Sequence, residues 1–478
     1  MSARVYNSLR WVASSKLIVQ VVSWASTIVV MRLLAPADYG LVAMSGVFSG
    51  FLIFLGDFGL STALISRRET DTTVLEAAFG LSLLGGLLLF VATFCAAPLV
   101  ADFFSQPQLT SLVRVSGILF LTLAISTVPR AQLAIRMQFR SISYSTVVSS
   151  LATTCATLTL AWLGYGPWAL VVGTVFGATV RAAHLQLQAG PFLRPSLNLN
   201  RLRGMLRLSG YLVAQNTAYY WYEQVDSLIV GRSLGDVSLG SLVAGKNLAL
   251  TPVSKVAEVT NQVALPAFAH LQLEPRQAGT AYSTAVRLLA IISFPCMWGM
   301  AVTAPDLVPL LLGSKWHSAI IIVQVLSFGT PLRLAASVAG VGLQGVGRAD
   351  LSFWYTLGAL ILTCLLLLVG VQWGLPGAAI AMSVSMTASF ALGVLAISSC
   401  MPISRRKVLL DVLRAAAPAA VMATVVIYLR VNLDEVDTLV RLGACISAGI
   451  VTWAASSFAI SPSHLIELRS TLRRIVKS

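Results

Sequence analysis

Fourteen apolar segments, each close to the roughly 20 residues that a helix needs to cross a bilayer, fill almost the whole chain. They fall near 12–34, 41–65, 77–100, 111–128, 143–163, 167–188, 208–231, 238–265, 282–303, 317–344, 352–372, 377–400, 415–430 and 440–460. In lipid every backbone polar group must be satisfied internally, so segments of this length and composition can only be helices. The spacing therefore predicts an all-α integral membrane protein of about 14 transmembrane helices. A chain that is 57% hydrophobic and 11% charged fits no ordinary soluble globule.

Charge sets the expected orientation. The N-terminus, every second connection and the C-terminal tail, counted with Arg181 at the rim, hold 23 of the 33 Lys and Arg residues. The opposite connections hold five: Arg32, Arg232, Lys315, Arg430 and Arg441. Basic residues stay on the cytoplasmic side, which places both termini there. The +15 net charge is thus a topology signal; a nucleic-acid partner would need a basic soluble surface, and no loop is long enough to form one. The six cysteines all lie in apolar spans, so neither disulfides nor a metal centre are expected. The first span is too long for a cleaved leader. Trp11, Trp162, Trp168, Trp316 and Trp373 fall at span ends, where interfacial anchors belong.

The two halves repeat. Residues 32–44 (RLLAPADYGLVAM) and 232–244 (RSLGDVSLGSLVA) match at an offset of 200, pairing Arg32 with Arg232 and Gly40 with Gly240. AAPLV at 96–100 and TAPDLV at 303–308, read as outer loops after the third span of each half, follow in order, as do LGYGPWAL at 163–170 and WGLPGAAI at 373–380. An even number of spans per copy makes both copies face the same way, as two six-helix bundles related by a pseudo-two-fold along the membrane normal. The expected division is 1–188 for the first bundle, 189–207 for a cytoplasmic linker, 208–400 for the second bundle, and 401–478 for an extra helix pair with a basic tail.

Polar stripes interrupt the spans. In the seventh, Gln215, Tyr219, Glu223 and Asp226 recur at helical spacing, with no basic residue nearby in sequence. A carboxylate inside a membrane helix costs roughly 2.5–3.5 kcal/mol on insertion scales, so such a face should meet water or partner charge. The eighth span carries Asn247, Thr251, Ser254, Glu258 and Asn261, with Lys255 and Gln262 on the shoulder of that stripe, Lys246 further out, and Pro252 and Pro266 as expected kinks. The first two spans are weaker counterparts, with Lys16, Gln20, Ser23 and Thr27 in one and Ser45, Ser49, Asp57 and Ser61 in the other. A hydrated cavity lined by spans one, two, seven and eight is the expectation. Lys16 and Arg114 are shallow enough to snorkel to the interface instead; Lys255 and Arg333 are deeper, and Lys255 could be held by Glu258. Asp57 could pair with Lys16 or cap a neighbouring helix.

No HExxH, GxSxG, P-loop or metal-spaced Cys/His cluster is present, so an enzyme is not expected and no cofactor is implied. An integral-membrane glycosyltransferase using Glu223, Asp226 or Asp57 remains an alternative.

The stretch RLLAPADYGLVAMSGVFSGFLIFLGDFGLSTALISR (32–67) resembles the start of the Wzx-type polysaccharide exporters, in the branch with colanic-acid and teichuronic-acid flippases. FRSISYSTVVSS (139–150), GYGPWALV (164–171) and QVDSLIVGRSLG (224–235) extend the resemblance more loosely. The family belongs to the multidrug/oligosaccharidyl-lipid/polysaccharide exporter superfamily. Membership implies flipping of an undecaprenyl-pyrophosphate-linked oligosaccharide by alternating access, for export of a surface glycan. Its partners would then be that lipid-linked substrate, membrane lipids, and a polysaccharide polymerase or copolymerase. On this reading Lys16, Arg114, Lys246, Lys255 and Arg333, with Gln20, Gln215, Tyr219 and Asn247, are candidates for binding pyrophosphate and sugar. Asp57, Glu223, Asp226 and Glu258 are candidates for ion coupling or gating. A drug or organic-cation antiporter of the same superfamily is the alternative, and it should prefer an acidic cavity.

Overall fold

The computed structural model describes residues 19–20, 22–56, 60–190, 193–196 and 210–460. The side chains of 53–56, 62, 66, 210–216, 255, 258 and 259 are outside the description. Lys16 and Asp57 therefore lie outside the described residues, as do the side chains of Gln215, Lys255 and Glu258 and the tail from 461.

Among the described residues the chain is helical, with short turns and no strand. The first half comprises α1 (Val22–Leu33), α2 (Pro36–Gly56), α3 (Leu60–Arg67), α4 (Thr72–Phe104), α5 (Leu109–Ser116), α6 (Ile118–Ile135), α7 (Phe139–Trp162) and α8 (Pro167–Ala189). The second comprises α9 (Gly210–His270), α10 (Pro275–Leu312), α11 (Ala319–Gly345), α12 (Ala349–Gly370), α13 (Gly374–Ser398), α14 (Arg405–Asn432) and α15 (Thr438–Ile460). Nine stretches of the described residues are long and apolar enough to cross a membrane, among them Leu109–Ile135, Thr217–Ser254 and Ala349–Ser398. The last two each contain a glycine outside helical space, Gly235 at φ 81° and Gly374 at φ 70°. Divided there, the nine stretches give eleven candidate crossings among the described residues, and α1, α2 and α7 are further helices at expected spans, in rough agreement with about fourteen.

Gly235 decides the shape of α9. Sixty-one residues in one straight helix would run about 90 Å, three times the hydrocarbon core. At φ 81° and ψ −176° the backbone leaves helical space in a conformation that a side chain disfavours. It divides the segment into two rods. The dihedrals remain helical through Pro252 and Pro266, so the chain leaves helical space at the glycine.

Two expectations are corrected. Residues 96–100 and 303–308 are not outer loops: α4 continues to Phe104 and α10 to Leu312, with Pro98, Pro305 and Pro309 inside the helices. Val100, Ala101 and Phe104 in one, and Ala304, Val308 and Leu312 in the other, keep a buried face at helical spacing, and that packing holds the helix past its prolines. Trp316 is not an interfacial anchor but wholly buried, whereas Trp162 and Trp373 are exposed at span ends.

The chain forms two compact units. The first takes residues up to Gly210 together with Gly235–Gly240; the second takes Tyr211–Leu234 and everything from Ser241 onward, including α14 and α15. In the first unit α7 and α8 meet closely. Gly173 and Gly177 on α8 lie against Thr157 and Thr153 on α7, where any β-carbon would collide with the threonine hydroxyls. Small residues four apart allow this approach between membrane helices. Also in this unit, Gly40 faces the backbone of Asp236 while Gly240 faces the backbone of Pro36.

The second unit is organised around α10. Val286, Phe294 and Met297 pack with Leu334 and Val338 of α11, Phe390 and Val394 of α13, and Val412 and Ala419 of α14. Ion pairs then fasten the C-terminal helices. Arg287 on α10 meets Asp411 on α14 at 3.3 Å. Near the other end of α10, buried Asp306 accepts from Arg430 of α14 at 2.7 Å and Arg441 of α15 at 2.6 Å. Arg441 also bonds Asp434 in the connecting turn. Arg430 and Arg441, read from the sequence as outer-loop charges, are thus held by a carboxylate of a neighbouring helix. The lipid-facing surface stays apolar, with Leu88, Leu99, Ile361, Leu365, Val451 and Phe458 all exposed.

Candidate functional site

Within the second unit, α9, α11 and α12 enclose a cavity of about 530 Å³. Tyr219, Tyr222 and Glu223 reach it from the first rod of α9; Ser254 and Asn261 reach it from the second. From α11 come Arg333, Ser337, Gly340 and Gln344, spaced to share one helical face, and α12 supplies Tyr355 and Thr356.

Charge in this wall is paired. Arg333 Nη2 donates to Glu223 Oε1 at 2.5 Å, joining α11 to α9. Both side chains are partly open, 23% and 27% exposed. The Arg333 guanidinium carbon lies 5.9 Å from the centre of the Tyr222 ring, a cation–π distance. A second pair sits beside the first. Lys246 Nζ donates to Asp226 Oδ2 at 2.7 Å and to the backbone oxygen of Glu223 at 2.9 Å. Asp226 is buried. This second pair joins the two rods of α9 across the Gly235 turn. It also explains how such helices tolerate carboxylates: each described one in this wall faces a cation, which offsets the loss of hydration.

The sequence placed no base near Glu223 or Asp226, because their partners arrive from 110 and 20 positions away. It offered Lys246 and Arg333 as cations for an anionic substrate and the two carboxylates for coupling, whereas the structure joins these groups in pairs. Of the other candidates, Tyr219 lines the cavity. Asn247 is exposed and lies outside the lining; its backbone oxygen accepts from Thr251. Gln20 is half-buried ahead of α1. Arg114 packs on α4, its guanidinium 4.4 Å from the Phe94 ring centre, and lines neither of the cavities described here. Ser337, Gln344, Tyr355 and Thr356 were not singled out from the sequence. The α11 set could have been, since it recurs with Arg333 at helical spacing.

The first unit holds a smaller groove of about 340 Å³, lined by hydroxyls rather than charge, with Ser23, Ser26 and Thr27 facing Thr153, Thr154 and Thr174. The described residues hold no cluster of His, Cys, Asp and Glu suited to a metal.

The fold is shared with solved membrane proteins. It matches the lipid II flippase MurJ in an inward closed conformation with a TM-score of 0.77, over 93% of this chain and 98% of that one, at 13% identity. It matches an inward-facing multidrug resistance MATE family transporter of the MOP superfamily with a TM-score of 0.61, over 80% of this chain and 95% of that one, at 17% identity. Residues 29–321 match the family described as polysaccharide biosynthesis protein, and the chain belongs to that family. It is 26% identical to the lipopolysaccharide biosynthesis protein WzxC of Escherichia coli, covering 73% of this chain and 72% of the relative. It is 25% identical to the teichuronic acid biosynthesis protein TuaB of Bacillus subtilis, covering 78% of each. It is likewise 25% identical to the succinoglycan biosynthesis transport protein ExoT of Rhizobium meliloti, covering 69% of this chain and 67% of the relative.

Proposed function

We propose that the protein flips an undecaprenyl-pyrophosphate-linked oligosaccharide from the cytoplasmic to the outer leaflet of a bacterial inner membrane, for export of a surface glycan. The observation that carries this reading is the cavity of the second unit, where a guanidinium is held inside a membrane fold beside tyrosines and amides. A sugar chain and a pyrophosphate cannot cross hydrocarbon unaided, because their polar groups would lose every hydrogen-bond partner. A charged and polar intramembrane cavity supplies those partners, and Arg333 offers the planar fork that matches phosphate oxygens. The relatives named for lipopolysaccharide, teichuronic acid and succinoglycan biosynthesis support a glycan as cargo, and the likeness to a lipid II flippase supports a lipid-linked form of it.

On this reading the basic connections and both termini face the cytoplasm, where they can meet a polymerase or copolymerase. Lys255 joins Arg333 in the anion path, and Glu223 or Asp226 couples movement to an ion gradient. The deciding experiment is the composition of lipid-linked intermediates in cells lacking the protein. A complete lipid-linked oligosaccharide accumulating on the cytoplasmic leaflet, with surface polysaccharide lost, is the expected result. A truncated oligosaccharide would identify a missing transferase, and normal glycan with heightened drug sensitivity would identify an antiporter.

A further inference from the structure

The two ion pairs of the second unit differ in what an incoming anion could do to them. Buried Asp226 and the backbone oxygen of Glu223 both accept from the Lys246 ammonium, and neither Lys246 nor Asp226 lines the cavity. Arg333 and Glu223 do line it, and both are partly open to it. Among the described lining residues, Arg333 is the one cation and Glu223 the one carboxylate. A phosphate oxygen and a carboxylate oxygen approach a guanidinium in the same plane and through the same N–H donors. They compete for one seat.

A second observation points the same way. Asn261 lines the cavity, and its Oδ1 is buried without a hydrogen-bond partner. Buried polar atoms are satisfied as a rule, and an orphan on a residue that lines a cavity can take a ligand's donor, such as a sugar hydroxyl, once the side chain turns toward it. The cavity thus combines an anion seat already occupied from within and an acceptor that nothing occupies.

We propose that Glu223 is the resting occupant of the Arg333 seat, and that a diphosphate-class anion binds by displacing it. The inference rests on the flippase reading and adds a competitor to it. The displaced carboxylate stays beside Tyr219, Tyr222 and Lys246, with Tyr355 across the cavity, so the exchange needs no covalent step. Substituting one anion for another keeps the guanidinium paired throughout, which avoids leaving a bare charge in the membrane at any stage. The same competition weakens the hold on cargo, as release on the far side requires.

The test uses the full chain in lipid nanodiscs titrated with farnesyl pyrophosphate, with thermal unfolding followed in parallel. Glu223→Gln should tighten binding about tenfold, the equivalent of about 1.4 kcal/mol of competition removed. Glu223→Asp, which keeps the competing charge, should bind like the parent, and Arg333→Gln should lose binding while remaining folded. If Glu223→Gln binds no tighter, or unfolds at a lower temperature with weakened binding, the pair is a structural strut and the exchange is overturned. The diphosphate reading then survives provided that Arg333→Gln still weakens binding. If neither the parent nor Glu223→Gln binds the probe, the diphosphate reading and the exchange fall together.

Discussion

Gly40 and Gly240 are 200 positions apart in the chain and occupy reciprocal places in the fold. Each faces the backbone of the residue four positions before the other: Gly40 that of Asp236, and Gly240 that of Pro36. The offset that relates the two motifs in sequence therefore recurs as a two-way contact in space, where neither position has room for a β-carbon.

Gly40→Ala and Gly240→Ala should consequently destabilise the protein by similar amounts, about 1–3 kcal/mol each, with valine worse at either site. Thermal unfolding in detergent checks this. A neutral result at one glycine and a large effect at the other would show that the contact is not reciprocal.

Asp306 holds two arginines in a buried setting. Removing it leaves both without their shared carboxylate, so Asp306→Ala should cost about 3–5 kcal/mol. Arg441→Ala should approach that loss, and Arg430→Ala, whose side chain is more open, should fall short of it. The double variant Asp306→Ala with Arg441→Ala should lose less than the sum of the singles. Strict additivity in unfolding measurements would mean that the observed contact contributes nothing.

Arg287 and Asp411 form a simpler pair. Arg287→Asp or Asp411→Arg alone sets like charges together, and each should lower the amount of folded protein in the membrane. Exchanging the two should restore a substantial part. Membrane levels by immunoblot, with a size-exclusion profile in detergent, distinguish restored pairing from continued misfolding.

Lys246→Ala strands the carboxylate of Asp226 inside the second unit and should destabilise by about 3 kcal/mol. Lys246→Ala with Asp226→Asn should recover much of that loss. Arg333→Ala leaves Glu223 partly open to the cavity and near Lys246, so it should lower the unfolding temperature less than Lys246→Ala does, and it should abolish glycan export. Export at parental levels from Arg333→Ala, at equal protein abundance, would remove Arg333 from the substrate path.

The apolar spans were legible in the sequence because hydropathy is a local property, readable wherever the chain is cut. The turn at Gly235 was legible for the same reason, lying between two apolar runs. Helix ends near proline were not, since the continuation of α10 through Pro305 and Pro309 depends on neighbours that bury Ala304, Val308 and Leu312. Trp316 looked like an anchor because its position along the span could be read and its burial could not. The charged groups themselves were visible, but not their pairing. Glu223 finds Arg333 at a separation of 110 positions and Asp306 finds Arg441 at 135, and periodicity within one helix carries no trace of either.

The link from Lys246 to Asp226 and to the Glu223 carbonyl has a mechanical consequence. It ties the rods of α9 together some ten residues from the Gly235 bend on either side, so the hairpin cannot spread like a pair of tongs. Across the cavity, α11 is held to this hairpin by the partly open contact of Arg333 with Glu223.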